Sequence, residues 1–82
     1  MPQSERAEVL KKIMRWLAAQ EKGATLPALR HQIKWEITAG GATDTTIRKY
    51  IEDLHGAELI DYEHPMWTVT NNGKMWLERH CI

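Results

Sequence analysis

Residues 42–60 read ATDTTIRKYIEDLHGAELI and set the pattern for the rest of the chain. Thr43 is of the type that caps helices, because its hydroxyl accepts a hydrogen bond from an N–H group of the first turn. Asp44 then places a negative charge where the helix dipole favours one. Apolar side chains recur every three or four residues after it, which predicts an inward helical face. This face comprises Ile47, Ile51 and Leu54, with Tyr50 at its edge.

An amphipathic helix is predicted before this stretch, from about Ser4, which caps it, to Gln20. Its apolar residues lie on one face and are Val9, Leu10, Ile13, Trp16 and Leu17. Lys11, Lys12 and Arg15 fall largely off that face. We therefore expect these three cations to form a solvated flank.

Gly23 is predicted to end this helix, and a short extended piece then leads to a second helix. Thr25 caps the second helix, whose first turn tolerates Pro27. Its buried stripe is expected to contain Leu26, Leu29, Ile33 and Ile37. Residues 38–41, TAGG, end the helix, because paired glycines turn the chain sharply at little steric cost.

The hydrophobic period changes after residue 56. The segments LIDYE (59–63) and MWTVT (66–70) are short and rich in β-branched and aromatic residues, which predicts a hairpin. Thr70 then caps a last helix. The predicted fold is mostly α with a small β-hairpin, in the order helix, short strand, helix, helix, hairpin, helix. Two helices joined by a tight turn and followed by a hairpin form a helix-turn-helix with a wing.

The 82 residues suffice for one small domain, 1–82, with a single core. The single cysteine, Cys81, excludes an internal disulfide, and no pair of Cys or His has the spacing of a zinc site. No apolar stretch reaches the roughly 20 residues that span a bilayer, so we expect a cytoplasmic protein, without a cofactor. We do not expect an enzyme, because the histidines are scattered and no nucleophile stands beside a base.

Charge is distributed unevenly along the chain, although its formal sum is zero. Residues 22–49 carry more cations (Lys22, Arg30, Lys34, Arg48 and Lys49) than anions (Glu36 and Asp44). Residues 50–70 carry no Lys or Arg, and their anions are Glu52, Asp53, Glu58, Asp61 and Glu63. The zero sum argues against a protein that coats DNA by charge alone. The middle of the chain is basic, and the stretch after it is purely acidic.

These features together resemble the winged helix-turn-helix superfamily of small bacterial and archaeal DNA-binding regulators. The resemblance is carried by ATLPALRHQI (24–33), ATDTTIRKYIEDLHGAELI (42–60) and WTVTNNGKMWLE (67–78). In that superfamily a Ser or Thr caps the third helix, Gly-x-x-Leu-Ile leads into the wing, and Thr-x-x-Gly opens the closing helix. The matching residues here are Thr43, then Gly56, Leu59 and Ile60, then Thr70 and Gly73. The resemblance implies a winged-helix fold and sequence-specific binding of double-stranded DNA by a small transcriptional regulator.

The resemblance also implies that the N-terminal half of the third helix enters the major groove. The expected DNA contacts on this helix are Thr43, Thr45, Thr46, Arg48 and Lys49. Arg48 can hold a guanine through two hydrogen bonds or bind a phosphate, whereas Lys49 suits a phosphate. Arg30 and Lys34 of the second helix are expected to contact the DNA backbone beside the groove.

The alternative is structural. In that interpretation the threonines only cap the helix, and the cations of the second helix are merely solvated. Arg48 and Lys49 would then form ion pairs with Glu52 and Asp53, which lie four residues further along the same helix.

The predicted wing fits DNA binding less well. Wings that bind DNA usually offer Arg or Lys, whereas this hairpin carries Asp61 and Glu63, which phosphates would repel. His64 near its tip is the remaining candidate contact. The alternative function is a protein-interaction winged helix in a larger assembly, which docks a basic partner through the acidic 50–70 segment.

Apolar residues near the two ends of the chain exceed the evident needs of a small core, and one winged helix makes few base contacts. We therefore predict a homodimer through the first and last helices, which would read two half-sites. Its expected interface is Val9, Met14, Trp16, Met75, Trp76 and Ile82. The alternative is that these side chains fill a core that has no Phe.

Overall fold

The computed structural model describes residues 3–80 of the chain, and the side chains of residues 6–79. The elements are α1 (Gln3–Ala18), β1 (Ala24–Thr25), α2 (Leu26–His31), α3 (Asp44–Gly56), β2 (Ile60–Glu63), β3 (Met66–Val69) and α4 (Asn71–His80). After α2, the segment Gln32–Ile37 continues as a π-helix. The chain is therefore mostly helical with a small antiparallel sheet, and the predicted order of elements is confirmed.

Three threonines fix where helices begin, as predicted. The Thr25 hydroxyl accepts from the Ala28 N–H at 3.4 Å, and the Thr43 hydroxyl accepts from the Thr46 N–H at 3.2 Å. Thr70 does the same for Gly73 at 3.0 Å. Each such cap contributes about 1 kcal/mol to the stability of its helix. The first residue of α3 is thereby held at position 44.

The sheet contains one strand more than the predicted hairpin. β2 and β3 pair with Ile60 opposite Val69, and a two-residue connection, His64 and Pro65, joins them. β1 pairs with the other edge of β3, so the strand order is β1-β3-β2. The short extended piece before α2 is thus not a linker. It anchors the start of α2 to the hairpin.

The core lies between α1, α2, α3 and the sheet. Its fully buried side chains are Ile13, Met14, Leu17, Leu29, Ile33, Ile47, Tyr50, Leu54 and Ile60. Most of them lie where the helical period places them. Two expectations were wrong: Tyr50 is only 2% exposed rather than at the edge, and Leu26 is 39% exposed rather than in the buried stripe. Leu26 is the first residue of α2 and lines a surface groove beside α3.

The chain leaves α1 two residues earlier than predicted, at Ala18, and turns before β1. Gly23 lies in this turn with φ +82° rather than at the end of the helix. A β-carbon at Gly23 would be 2.3 Å from the Trp67 carbonyl oxygen of β3. The glycine is required here because β3 passes directly against the turn.

The turn between α2 and α3 closes through backbone and side-chain hydrogen bonds. The Thr38 hydroxyl donates to the Ile33 carbonyl at 2.8 Å, and the Gly40 N–H donates to the Lys34 carbonyl at 2.6 Å. Ala39 and Gly40 take left-handed φ values of 51° and 82°. The predicted turn at residues 38–41 is confirmed, and it brings the start of α3 back beside the end of α2.

Gly73 permits a close approach between α4 and the residues around Leu59 and Met14. A β-carbon at this position would be 2.2 Å from the Leu59 carbonyl oxygen and 2.8 Å from Cε of Met14. Gly56 differs, since a β-carbon there would meet no atom within 4 Å. The left-handed residue before β2 is Glu58, with φ 62°. Among residues 3–80, no helix is both long enough and apolar enough to cross a bilayer.

Gly73→Ala is expected to lower the free energy of unfolding by about 1–3 kcal/mol, because backbone atoms must move to admit the methyl group. Gly56→Ala is the matched control. It should leave stability unchanged or raise it by up to about 1 kcal/mol through lower entropy of the unfolded chain. Urea unfolding followed by circular dichroism measures both. Equal stabilities for the two variants would contradict the packing described for Gly73.

Candidate nucleic-acid interface

Most residues at the N-terminal end of α3, residues 43–49, are exposed, and Ile47 is the buried one among them. Thr45 is exposed, whereas the hydroxyl of Thr46 lies 3.0 Å from that of Thr43. The hydroxyls of Thr43 and Thr46 are therefore engaged with each other and with the cap. Thr45 carries the hydroxyl that faces outward.

Arg48 and Lys49 are both exposed. Within the side chains of residues 6–79, neither cation is paired with Glu52 or Asp53. Asp53 is instead bound by Arg6 of α1. The alternative of internal pairing along α3 is therefore not the arrangement found, and both cations face solvent.

Two surface grooves flank the head of α3. The α1-side groove, of about 880 Å³, lies between α1 and α3. Among the residues that line it are Arg6, Val9, Lys12, Thr45, Lys49 and Tyr50. The sheet-side groove, of about 410 Å³, lies between α3, the start of α2 and β3. Its lining includes Leu26, Arg30, Thr45, Arg48, Glu52 and Trp67.

Thr45 lines both grooves, so it stands on the ridge between them. Arg48 lines the sheet-side groove, and Lys49 lines the α1-side groove. Successive residues of an α-helix point about 100° apart, which follows from 3.6 residues per turn. Arg48 and Lys49 are consecutive in the sequence, but they therefore line different grooves, one on each side of Thr45.

Asp44 lies close to one cation of α2, Arg30, and to one of the π-helical segment that follows it, Lys34. Its carboxylate lies 3.5 Å from the Arg30 guanidinium and 3.8 Å from the Lys34 ammonium. The Lys34 ammonium also lies 5.5 Å from the centre of the Trp35 ring. These contacts are at the surface and individually weak, at about 0–1 kcal/mol each. They nevertheless bring Arg30 and Lys34, the residues predicted to contact the DNA backbone, next to the predicted DNA contacts of α3.

The hairpin tip stands apart from this cluster. His64 lines neither groove, and its Nδ1 atom lies 2.8 Å from the Tyr62 hydroxyl. Asp61 and Glu63 are exposed on the same strand, and Asp61 lies 4.0 Å from the imidazole of His55. The structure does not bring His64 together with the predicted contacts on α3.

The residues predicted for a dimer interface are scattered. Met14 is fully buried, because Gly73 lets α4 close over it, and it has no surface to offer a partner. Val9 lines the α1-side groove. Trp16 and Trp76 are half-buried against the core, Met75 is 52% exposed, and Ile82 lies outside the described residues. Met14 thus belongs to the core, and Val9, Trp16 and Trp76 pack against it, as in the alternative expectation, whereas Met75 does not.

Lys12 is exposed, as expected for the solvated flank of α1, and it also lines the α1-side groove, which was not predicted. Lys12 follows Val9 by three residues and lines the same groove, so helical spacing contained the signal. The groove itself could not be predicted from this spacing, because its other wall, the head of α3, comes from residues more than thirty positions away.

Among the described residues, no group of three or more His, Cys, Asp or Glu side chains has the geometry of a metal site. Comparisons with models of known families, with curated proteins and with solved structures found no match.

Proposed function

We propose that this protein has a winged helix-turn-helix fold and binds double-stranded DNA in the manner of a small transcriptional regulator. The N-terminal half of α3 enters the major groove. The observation that carries the proposal is the head of α3, where Thr45, Arg48 and Lys49 are exposed and the two cations have no carboxylate partner among the described side chains. The order of α2, turn, α3 and hairpin supports the same proposal.

The dimensions of the helix suit this role. An α-helix with its side chains is about 10–12 Å across, and the major groove is about 12 Å wide. Insertion places Thr45 at the base edges and Arg48 and Lys49 on the two flanks of the helix. Arg48 can read a guanine through its O6 and N7 atoms, whereas Lys49 contacts a phosphate as a point charge.

Arg30 and Lys34 extend the contact beyond the groove. Both lie within 4 Å of Asp44 at the start of α3, so they are held close to the proposed DNA surface. Their role is to bind the sugar–phosphate backbone, which positions a protein on the duplex without reading its sequence.

The positions of the acidic residues are compatible with insertion of the N-terminal end of α3 into the major groove. Glu52 and Asp53 lie in the C-terminal half of the helix, and Arg6 binds Asp53. The hairpin stays off the DNA in this proposal, because Asp61 and Glu63 would be repelled by phosphates. A protein-docking role is the second candidate, and the exposed carboxylates of Glu58 and Glu63 favour it.

Selection from a pool of random duplexes at low salt tests DNA binding and returns the preferred site. Arg48→Ala with Lys49→Ala is then expected to abolish the mobility shift on that site, and Arg48→Ala alone should cost about 1–3 kcal/mol and relax specificity. Lys74→Ala, a charge deletion on exposed α4, is the control and should bind normally. Failure of the wild type to retain any duplex would favour the protein-docking role.

Asp44→Asn is expected to strengthen DNA binding while weakening the fold. It removes an anion and releases Arg30 and Lys34 for phosphate; one unit charge at 4 Å in water is worth about 1 kcal/mol, which corresponds to about fivefold in affinity. Stability should fall by about 0.3–1 kcal/mol, because an acid at a helix N-terminus is lost. Glu78→Gln on α4 is the matched control. Affinity and thermal unfolding would be measured at low salt, and weaker DNA binding by Asp44→Asn would contradict the assigned surface.

We also propose that the protein is a homodimer, and we narrow the interface predicted on the first and last helices to the exposed face of α4, where Met75 is 52% exposed. Met75→Glu should then convert dimers to monomers, because a carboxylate would be buried against a partner. Light scattering at high micromolar concentration measures the mass of both proteins. A monomeric wild type would contradict the dimer without affecting DNA binding by one α3 helix.

A further inference from the structure

The α1-side groove joins the head of α3 to a part of the chain that the proposed function does not use. Resting on the proposed DNA binding, we infer that this groove is a phosphodiester channel, in which Lys12 of α1 and Lys49 of α3 hold the backbone of one DNA strand. α1 is then a second DNA-binding element rather than only a support for the core.

The charges that line the groove carry this inference. Arg6, Glu8, Lys12 and Lys49 all line it. Arg6 is bound by Asp53, and Glu8 lies 3.5 Å from the Lys11 ammonium. Among the side chains of residues 6–79, Lys12 and Lys49 therefore remain without a carboxylate partner. The groove presents two ammonium groups whose charge is not neutralised within the described part of the chain.

The chemistry of the groove favours a phosphodiester over a small carboxylic acid. Planar, two-point recognition of a carboxylate needs a guanidinium. Arg6, the arginine that lines this groove, is already bound to Asp53 and lies over the Tyr50 ring, 5.6 Å from its centre. Ammonium groups act as point charges and suit phosphates. Val9 and Ala42 give the groove apolar surface against which deoxyribose can pack.

The geometry of a duplex gives the second reason. A helix in the major groove has one phosphate backbone on each flank, and the two grooves beside α3 lie on those flanks. The sheet-side groove contains Arg30 and Arg48, but also the carboxylates of Asp44 and Glu52. The α1-side groove carries Lys12 and Lys49 with its one lining carboxylate, Glu8, already beside Lys11. The α1 flank is therefore the stronger site for phosphate.

Lys12→Gln tests the channel, with Lys74→Gln as the matched control, because both lysines are exposed helix residues and only Lys12 lines a groove near α3. On the selected duplex, Lys12→Gln should reduce the slope of log K against log salt by about 0.9, the value of one phosphate contact, and lower affinity roughly five- to tenfold at 0.1 M salt. Lys74→Gln should match the wild type. Circular dichroism and urea unfolding would confirm that both variants fold.

A strand-specific experiment identifies the phosphate. Neutral methylphosphonates are placed one at a time along each strand of the selected duplex. At the phosphate that Lys12 contacts, the substitution should weaken the wild type but have no further effect on Lys12→Gln. The positions whose effect is lost in Lys12→Gln should lie on one strand only, whereas those contacted by Arg30 and Lys34 should stay sensitive in both proteins.

Failure of the proposed channel and failure of the proposed DNA binding would give different results. Equal slopes for Lys12→Gln and Lys74→Gln, in a protein whose DNA binding still depends on Arg48, would overturn the channel and leave the proposed function intact. A methylphosphonate effect that is the same in the wild type and in Lys12→Gln at every position would do likewise. A wild type that binds no duplex at low salt would overturn both.

Discussion

One close contact fixes the architecture of this small domain. The backbone of Gly73 lies so near the Leu59 carbonyl that a β-carbon there would be 2.2 Å from the oxygen. The same carbonyl accepts from the Thr70 N–H, and the Leu59 N–H donates to the Leu54 carbonyl in α3. Met14 of α1 also reaches Gly73. Three helices and the start of the sheet thus meet at one point, which holds the C-terminal half of α3 against α1 and α4.

The two ends of α3 also differ in charge. At the held end, Asp53 is bound by Arg6 and Asp61 lies beside His55, so part of the acidic segment is matched within the fold. At the exposed head, Arg48 has no carboxylate partner among the described side chains. Although the formal net charge is zero, the charges are unevenly distributed: cations lie around the head of α3 and carboxylates around its other end.

Local signals in the sequence predicted the helices well because they act over one turn: three threonine caps and most of the apolar periods of α1 and α3 are found where the residues placed them. The predicted cap at Ser4 was wrong, because α1 already begins at Gln3. Long-range contacts were not predictable in the same way. Ala24 and Thr25 pair with β3, but a segment of two residues is too short to show the alternating pattern that predicts a strand. Met14 was predicted to lie at a dimer interface, but Gly73 lets α4 pack over it. Lys12 lines a groove only because α3 lies beside α1.

Asp44 gives the protein a counterion of its own. Its carboxylate lies 3.5 Å from Arg30 of α2 and 3.8 Å from Lys34 of the π-helical segment, the two cations that would bind a DNA phosphate in the proposed complex. A phosphate that binds these cations would then replace the Asp44 carboxylate, which stays with the protein. Fewer dissolved ions would therefore be released than the number of phosphate contacts suggests. The salt dependence of such a protein would undercount its phosphate contacts, and non-specific polyanions would be held less tightly than the number of basic residues suggests.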